Sequence, residues 1–340
     1  MTFPKHTPKF TRGELNVYRR PTEASQVTAA LRGVGRNVAL VPTMGALHAG
    51  HRELIRRAKR LPNTIVAVSI FVNPLQFGEG EDFDAYPREL EHDLETLREL
   101  GVELAFVPEV EDLYGESGVT VTLDPGPLGG ELEGEMRPGH FGGMLTVVAK
   151  LLNITRPHYA FFGEKDYQQL VLVKRMVEDL NLETRIVGVP TVRSDDGLAL
   201  SSRNAYLSEE DRRSAAVLST ALGMGVNAGA DGAEAVLEAA RRELAAHPEI
   251  KIEYLELRGT DLGPAPVDGE ARLLIAARVG RTRLIDNTPV PLGAAAAGLG
   301  DDQDAADHDD VAGDDAAGDD VAGEGRNAAP VGTTPSQQGY

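Results

Sequence analysis

Two histidines three residues apart, His48 and His51, stand among glycines in the run Val41-Pro-Thr-Met-Gly-Ala-Leu-His-Ala-Gly-His51. The run joins an apolar, β-branched segment, Asn37–Val41, to the helically periodic Arg52–Ala58, so it reads as a strand-to-helix turn. Backbone N–H groups at a helix start lack partners and sit at the positive end of the helix dipole, which makes such a turn favourable for phosphate. Imidazoles placed there can donate hydrogen bonds to phosphate oxygens. The same two rings could simply cap and pack the helix. A zinc site is disfavoured, because the i, i+4 spacing and following glutamate of a metalloprotease helix are missing and the chain has no cysteine.

Three further polar groups follow other strand-like segments. Phe71-Val-Asn-Pro-Leu-Gln-Phe77 carries two neutral amides, Asn73 and Gln76, on a Pro-containing loop. Amides both donate and accept, which suits a substrate with a carboxylate and hydroxyls, although they could equally stabilise the turn alone. Phe162-Gly-Glu-Lys-Asp-Tyr-Gln-Gln169 has Gly163 for a tight turn, Lys165 where it could meet phosphates, and Asp166, which could bond a ribose, cap a helix or hold Lys165. In Leu200-Ser-Ser-Arg-Asn204, Arg203 could neutralise a triphosphate whose oxygens Ser201 and Ser202 would bond, or the run could be an inter-domain turn. The Gly/Pro-rich loop Glu131–His140 could cover a cleft, with Arg137 and His140 as anion contacts, or be plain surface.

The elements that would carry these groups alternate. Strand-like Thr64–Val72, Val102–Val107, His158–Phe162 and Thr184–Val189 are separated by helix-like Arg88–Leu100, Gly143–Asn153 and Tyr167–Leu180. Such a βαβ rhythm predicts a Rossmann-like α/β domain over 1–189, with a parallel sheet and ligands at the carboxyl ends of the strands. After Arg203 the texture changes: a capping-box start at Ser208, an Ala-rich helix, a helix over Ala233–Ala246, and strands near Ile250–Leu257, Ala271–Val279 and Thr282–Ile285 predict a smaller α+β domain over 190–293. From 294 to 340 the Asp-Asp-Val-Ala-Gly type pentads repeat in an acidic, Gly/Ala-rich tract that cannot bury enough apolar surface to order, so a disordered tail is expected. Clustered aspartates could bind calcium, but neither the nonapeptide repeat nor the EF-hand pattern is present.

Charge is placed unevenly. The tail holds 11 Asp/Glu against one Arg and so supplies −10 of the net −19, which leaves a moderately acidic body and argues against a nucleic-acid partner. Without cysteine, disulfides, thiolate nucleophiles and iron–sulfur ligation are excluded. No secretory h-region and no membrane-length apolar run is present, so a soluble cytoplasmic protein without a membrane partner is expected.

Taken in order, Pro42-Thr-Met-Gly-Ala-Leu-His-x-Gly-His51, Phe71-Val-Asn-Pro-x-Gln-Phe77, Phe162–Gln169 and Ser201-Ser-Arg-Asn204 closely resemble the pantothenate synthetase (pantoate–β-alanine ligase) family, over about residues 14 to 290. The resemblance implies an ATP-dependent ligase. It would join (R)-pantoate to β-alanine through a pantoyl adenylate, releasing AMP and pyrophosphate, as a homodimer whose C-terminal domain closes over ATP. It implies a first ATP-binding segment of Met44, Gly45, Ala46, Leu47, His48, Ala49, Gly50 and His51, with His48 catalytic and His51 a phosphate contact. Gly163, Glu164, Lys165 and Asp166 would contact ATP, as would Val192, Leu200, Ser201, Ser202 and Arg203. Gln76 would bind pantoate and line the β-alanine position, and Gln169 would hold pantoate, with Asn73, Arg137 and His140 close by. His48, His51, Lys165 and Arg203 suit the charge of the adenylation transition state. Where relatives often carry an Asp-Asp pair and a Gln proposed to ligate magnesium, this chain has His92, Asp93 and Thr96. Mg²⁺ is therefore expected mainly on the ATP phosphates, with no protein metal site. Leu200 replaces a more usual methionine, a near-isosteric change. The two-histidine turn is also similar to that of the wider nucleotidyltransferase superfamily, so transfer of a nucleotide to a phosphorylated acceptor is the competing expectation. An adenylate-binding scaffold whose acidic tail recruits a basic partner is the non-enzymatic one.

Overall fold

Runs of Val, Ile, Leu and Ala without polar alternation are what strands buried on both faces require. In the computed structural model, which describes residues 8–297 apart from 79 and 82, they form a six-stranded sheet of β1 (Asn16–Tyr18), β2 (Asn37–Thr43), β3 (Thr64–Ile70), β4 (Leu104–Phe106), β5 (Tyr159–Gly163) and β6 (Arg185–Val189). All pairings are parallel, in the order β1-β4-β3-β2-β5-β6. Helices α1 (Pro21–Gly33), α2 (Ala49–Arg60), α3 (Leu90–Glu99), α4 (Val110–Tyr114), α5 (Glu133–Met136), α6 (His140–Thr155) and α7 (Tyr167–Asp179) lie between the strands. Successive residues of β2 serve opposite cores. Val38 and Leu40 pack with α1, α6 and α7, and Ala39 and Val41 with α2 and α3.

Chain order runs outward from β2 to β3 and β4 on one side and to β5 and β6 on the other, so the crevice at the carboxyl ends of β2 and β5 is a topological switch point. Each of the four polar motifs follows a carboxyl end: that of β2, β3, β5 or β6. The three-residue β1 has too little pattern to be read from sequence.

Beyond β6, α8 (Glu209–Asn227) and α9 (Ala233–Ala245) pack on an antiparallel sheet, β7-β8-β9, of β7 (Ile250–Gly259), β8 (Gly269–Val279) and β9 (Thr282–Leu292). Ser208 caps α8 by accepting from the Asp211 N–H at 3.1 Å. β9 runs seven residues past its expected end at Ile285. Pro289 and Pro291 are tolerated within it because β9 is an edge strand and its other side owes no ladder bonds. The acidic pentads lie outside the described residues. The first four residues of the expected tail form a helical turn, Ala294–Ala297.

Gly143 on α6 sets how closely that helix approaches the 3₁₀ turn Pro74–Gln76, since a Cβ there would collide with the Leu75 carbonyl. Gly143→Ala is expected to cost about 1–3 kcal/mol through this overpacking, read as a lower urea midpoint, and to displace Gln76.

Candidate active site

The turn after β2 has an unusual backbone. Gly45 and Ala46 both take positive φ, 86° and 51°, a conformation that only glycine adopts freely. What holds it is Asp93 on α3, only 1 % exposed. Its two carboxylate oxygens accept the N–H groups of Ala46 at 2.9 Å and Leu47 at 2.8 Å. A Cβ on Gly45 would lie 2.8 Å from Asp93 Oδ2, so glycine is required for the close approach as well as for φ. Burial pushes the Asp93 carboxyl above its ordinary range, and the two N–H bonds oppose that rise.

The turn delivers His48 as the N-cap of α2. His48 Nδ1 accepts from the Gly50 N–H at 3.1 Å, and His51 Nδ1 accepts from the His48 N–H at 3.3 Å. An Nδ1 that accepts cannot carry the proton of a neutral ring, so both neutral imidazoles are Nε2–H tautomers. Both rings are biased to that neutral form. Burial and then Lys165 push His48 below its usual value, against Asp166, and burial and then His48 push His51 down to about 3. The rings lie 4.1 Å apart.

Met44 of the same turn and residues from the other three strand ends, Gln76, Lys165, Gln169, Val192 and the run Leu200–Arg203, share a cleft of about 240 Å³ with His48 and His51. It adjoins a wider cavity of about 650 Å³, and Lys165, Asp166, Gln169, Ser201 and Arg203 line both. The Lys165 ammonium is 3.9 Å from Asp166, and the lysine side chain is only 18 % exposed. Ser201 Oγ accepts the Arg203 N–H at 3.3 Å, which caps the 3₁₀ turn that carries the arginine. The amide of Gln169 makes no hydrogen bond among the described residues, whereas its neighbour Gln168 is buried and bonds Leu128, Glu131 and Glu133 across the covering loop.

Other expected site residues are engaged internally. Asn73 is buried and donates to Gln76 Oε1 and to the Gly143 carbonyl, while its own oxygen accepts from Tyr114 at 2.6 Å and from Leu75. It orients Gln76, whose amide nitrogen points 3.1 Å from the Met44 sulfur. Arg137 grips Glu81 with two 2.7 Å bonds and donates to His140 Nε2, while His140 Nδ1 donates to the Gln76 carbonyl. The charge of Arg137 is thus balanced by Glu81, and His140 is neutral, pushed down to about 4 by burial and by Arg137. Both residues still reach the cleft wall, but their hydrogen bonds fasten the loop that follows Gln76. Gly45, Ala46, Leu47, Ala49 and Glu164 fall outside the cleft lining, because the turn backbone faces Asp93 and Glu164 turns to Arg272 at 2.9 Å.

His92, Asp93 and Thr96 do not converge. His92 is exposed, Asp93 is consumed by the turn, and Thr96 accepts from Arg52. Among the described residues no three His, Asp or Glu side chains group as a metal site, and no helix is long and apolar enough to cross a membrane.

Residues 16–289 match the family model described as pantoate-beta-alanine ligase. The chain is 61 % identical over 296 residues to pantothenate synthetase of Saccharopolyspora erythraea, covering 86 % of this chain and 98 % of that one. It is 62 % identical over 282 residues to that of Nocardia farcinica, covering 83 % and 88 %. A crystal structure of pantothenate synthetase from Thermus thermophilus superposes with a TM-score of 0.73 at 46 % identity, over 81 % of this chain and 99 % of that one. Pantoate-beta-alanine ligase from Francisella tularensis, complexed with beta-gamma ATP and beta-alanine, gives 0.67 at 36 %, over 81 % and 97 %.

Two outcomes follow from the turn. Asp93→Ala is expected to lower kcat by about 10- to 100-fold as Ala46 and Leu47 lose their acceptor, and Asp93→Asn, which keeps one carbonyl acceptor, to recover part of it; steady-state kinetics on folded protein checks both. Because the folded His51 pKa lies below its unfolded value, its contribution to stability is full above about pH 6.5 and is lost as pH falls towards 3. The urea midpoint of the wild type should therefore fall more steeply between pH 6.5 and 4 than that of His51→Asn.

Proposed function

We infer the roles of these residues from one premise: the chain belongs to the pantoate–β-alanine ligase family and joins (R)-pantoate to β-alanine, cleaving ATP to AMP and pyrophosphate through a pantoyl adenylate. The single observation that carries the assignment of roles is the convergence of His48, His51, Lys165 and Arg203 with the two glutamines Gln76 and Gln169 in one cleft.

In the first step a pantoate carboxylate oxygen attacks the α-phosphorus of ATP, a P–O bond forms, the bond to the β-phosphate oxygen breaks, and pyrophosphate leaves with the electron pair. Negative charge accumulates on the phosphates and must be met by groups already in place. His48 and His51 offer neutral Nε2–H donors fixed by their Nδ1 bonds, which neither repel nearby cations nor need to change protonation. Lys165 and Arg203 supply the positive charge. Met44, His48, Gly50 and His51, with Gly163, Lys165, Asp166, Val192 and Leu200 to Ser202, surround the nucleotide, while Gly45, Ala46, Leu47, Ala49 and Glu164 support it from behind the cleft wall. Gln76, aimed by Asn73, and Gln169 hold the pantoate hydroxyls and carboxylate, with Arg137 and His140 securing the loop beside them.

In the second step the β-alanine amine attacks the acyl carbon, loses a proton, and displaces AMP. Positioning and exclusion of water suffice, and no covalent enzyme intermediate is needed. Mg²⁺, when bound, would be held mainly by the triphosphate, since this ion takes few protein ligands and retains most of its waters. Its chemistry there is neutralisation of phosphate charge. Residues 1–189 serve as the ATP- and pantoate-binding domain, 190–293 as the domain that closes over ATP, and 294–340 as an acidic appendage. The enzyme works as a cytoplasmic homodimer without nucleic acid, in line with the resemblance and the net charge of −19.

Purified protein with ATP, Mg²⁺, pantoate and β-alanine should release AMP and pyrophosphate; release of AMP that does not depend on pantoate would overturn the assignment. A nucleotide retained in the product would favour nucleotidyl transfer instead. His48→Ala and Lys165→Ala are each expected to lower kcat by on the order of 10²- to 10³-fold with unchanged circular dichroism. Gln76→Ala should mainly raise the KM for pantoate.

A further inference from the structure

Asn287 lies on β9, in the small sheet, yet its side chain serves the turn that carries Lys165. Its amide nitrogen donates both hydrogens to consecutive carbonyls of that turn, Glu164 at 3.0 Å and Lys165 at 2.8 Å. Its amide oxygen accepts from Arg272 Nε at 2.7 Å. This acceptor bond settles the amide orientation, since a reversed amide would set its oxygen against two carbonyls. Arg272, on the neighbouring strand β8, also pairs with the Glu164 carboxylate at 2.9 Å and stacks over Tyr167, 4.1 Å from the ring centre. Asn287 and Arg272 are 3 % and 4 % exposed. Burying an amide and a guanidinium between two strands is costly unless every donor is answered, and the groups that answer them belong to the lysine-bearing turn.

The preceding residue performs the matching task on the other side. Asp286 takes Arg193 in a two-point pair at 2.6 and 2.9 Å. Arg193 also donates to the Gly197 carbonyl, and Leu200 N–H bonds the Val192 carbonyl. These bonds close the hairpin whose end is the Ser201–Arg203 turn. Asp286 Oδ1 also accepts the Asn287 N–H at 2.7 Å, so the two grips share one atom.

We propose that Asn287, oriented by Arg272, is a positioning residue for Lys165: it holds the carbonyls of the Lys165 turn so that the ammonium meets the triphosphate, and with Asp286 it fixes the spacing between the Lys165 and Arg203 loops. The inference rests on Lys165 facing the triphosphate. Asn287 acts through the Lys165 turn, since its side-chain amide is spent on Arg272 and on the Glu164 and Lys165 carbonyls.

The test is a double-mutant cycle read by single-turnover adenylate formation from ATP, Mg²⁺ and pantoate. Asn287→Ala should lower the rate by about 10- to 100-fold while the KM for pantoate, which depends on Gln76 and Gln169, moves less than about threefold. Asn287→Asp has nearly the same volume but no N–H donor, and should give no recovery. In a Lys165→Ala background the further loss from Asn287→Ala should be less than about threefold, since residues acting through one another are not additive. A wild-type rate in folded Asn287→Ala, or losses that multiply in the double variant, would overturn the proposal. If Asn287→Ala does not fold, the same measurement on Asn287→Asp decides. A wild-type rate in Lys165→Ala is a separate result, and refutes the role given to the lysine rather than the support given by Asn287.

Discussion

Two backbone N–H groups, those of Ala46 and Leu47, turn inward where the chain leaves the central strand, and a buried carboxylate on α3 accepts both. Without Asp93 the interior would hold unanswered donors, each costing about 1–3 kcal/mol, and the left-handed pair Gly45-Ala46 would relax. The geometry of the histidine pair is built on that contact. The entry angle of α2, the cap formed by His48, and the bond from the His48 N–H to His51 are set only once the turn is closed. An acidic side chain thus sits behind a site built for anions without opposing them, because its charge is spent on the far side of the backbone.

The same division recurs around the cleft. Asn73, Gln168, Arg137, His140, Arg272 and Asn287 direct their polar atoms at other parts of the protein, and through those bonds they hold loops and turns that carry cleft-lining residues such as Gln76 and Lys165. Charge follows this pattern. Arg137 is answered by Glu81 and Arg272 by Glu164, whereas the Lys165 ammonium is only 3.9 Å from a half-exposed Asp166. A reaction that passes through a polyanionic transition state needs a few well-held donors more than a large net positive field. A chain of net charge −19 can therefore bind a triphosphate.

Much of this was legible in the sequence because local patterns carried it. β2, β3 and β5 declare themselves as unbroken apolar runs, and the motifs carrying His48, Gln76 and Lys165 stand where those runs stop. Glycine before the histidines foretold a tight turn. What stayed hidden are pairings between distant residues. Asp93 is 46 residues from Leu47 in sequence, and Asn287 is 122 from Lys165; no local composition marks either. Arg137 and His140 were legible as polar residues on a covering loop, but their engagement with Glu81 and the Gln76 carbonyl depends on how the loop folds back. The full length of β9 is hidden in the same way, since its prolines are compatible with a strand only because one of its sides has no partner strand.

Those prolines also bear on what the protein does among its neighbours. Pro289 and Pro291 occupy positions of the same parity on an edge strand, so two successive outward donors are missing from that border. The Pro291 carbonyl on that border packs against Gly229 of the turn before α9, and the two missing donors interrupt any ladder an incoming extended segment could build beside it. β9 therefore carries Asp286 and Asn287, which hold the cleft loops, in its middle, and an edge interrupted against sheet extension in its C-terminal half.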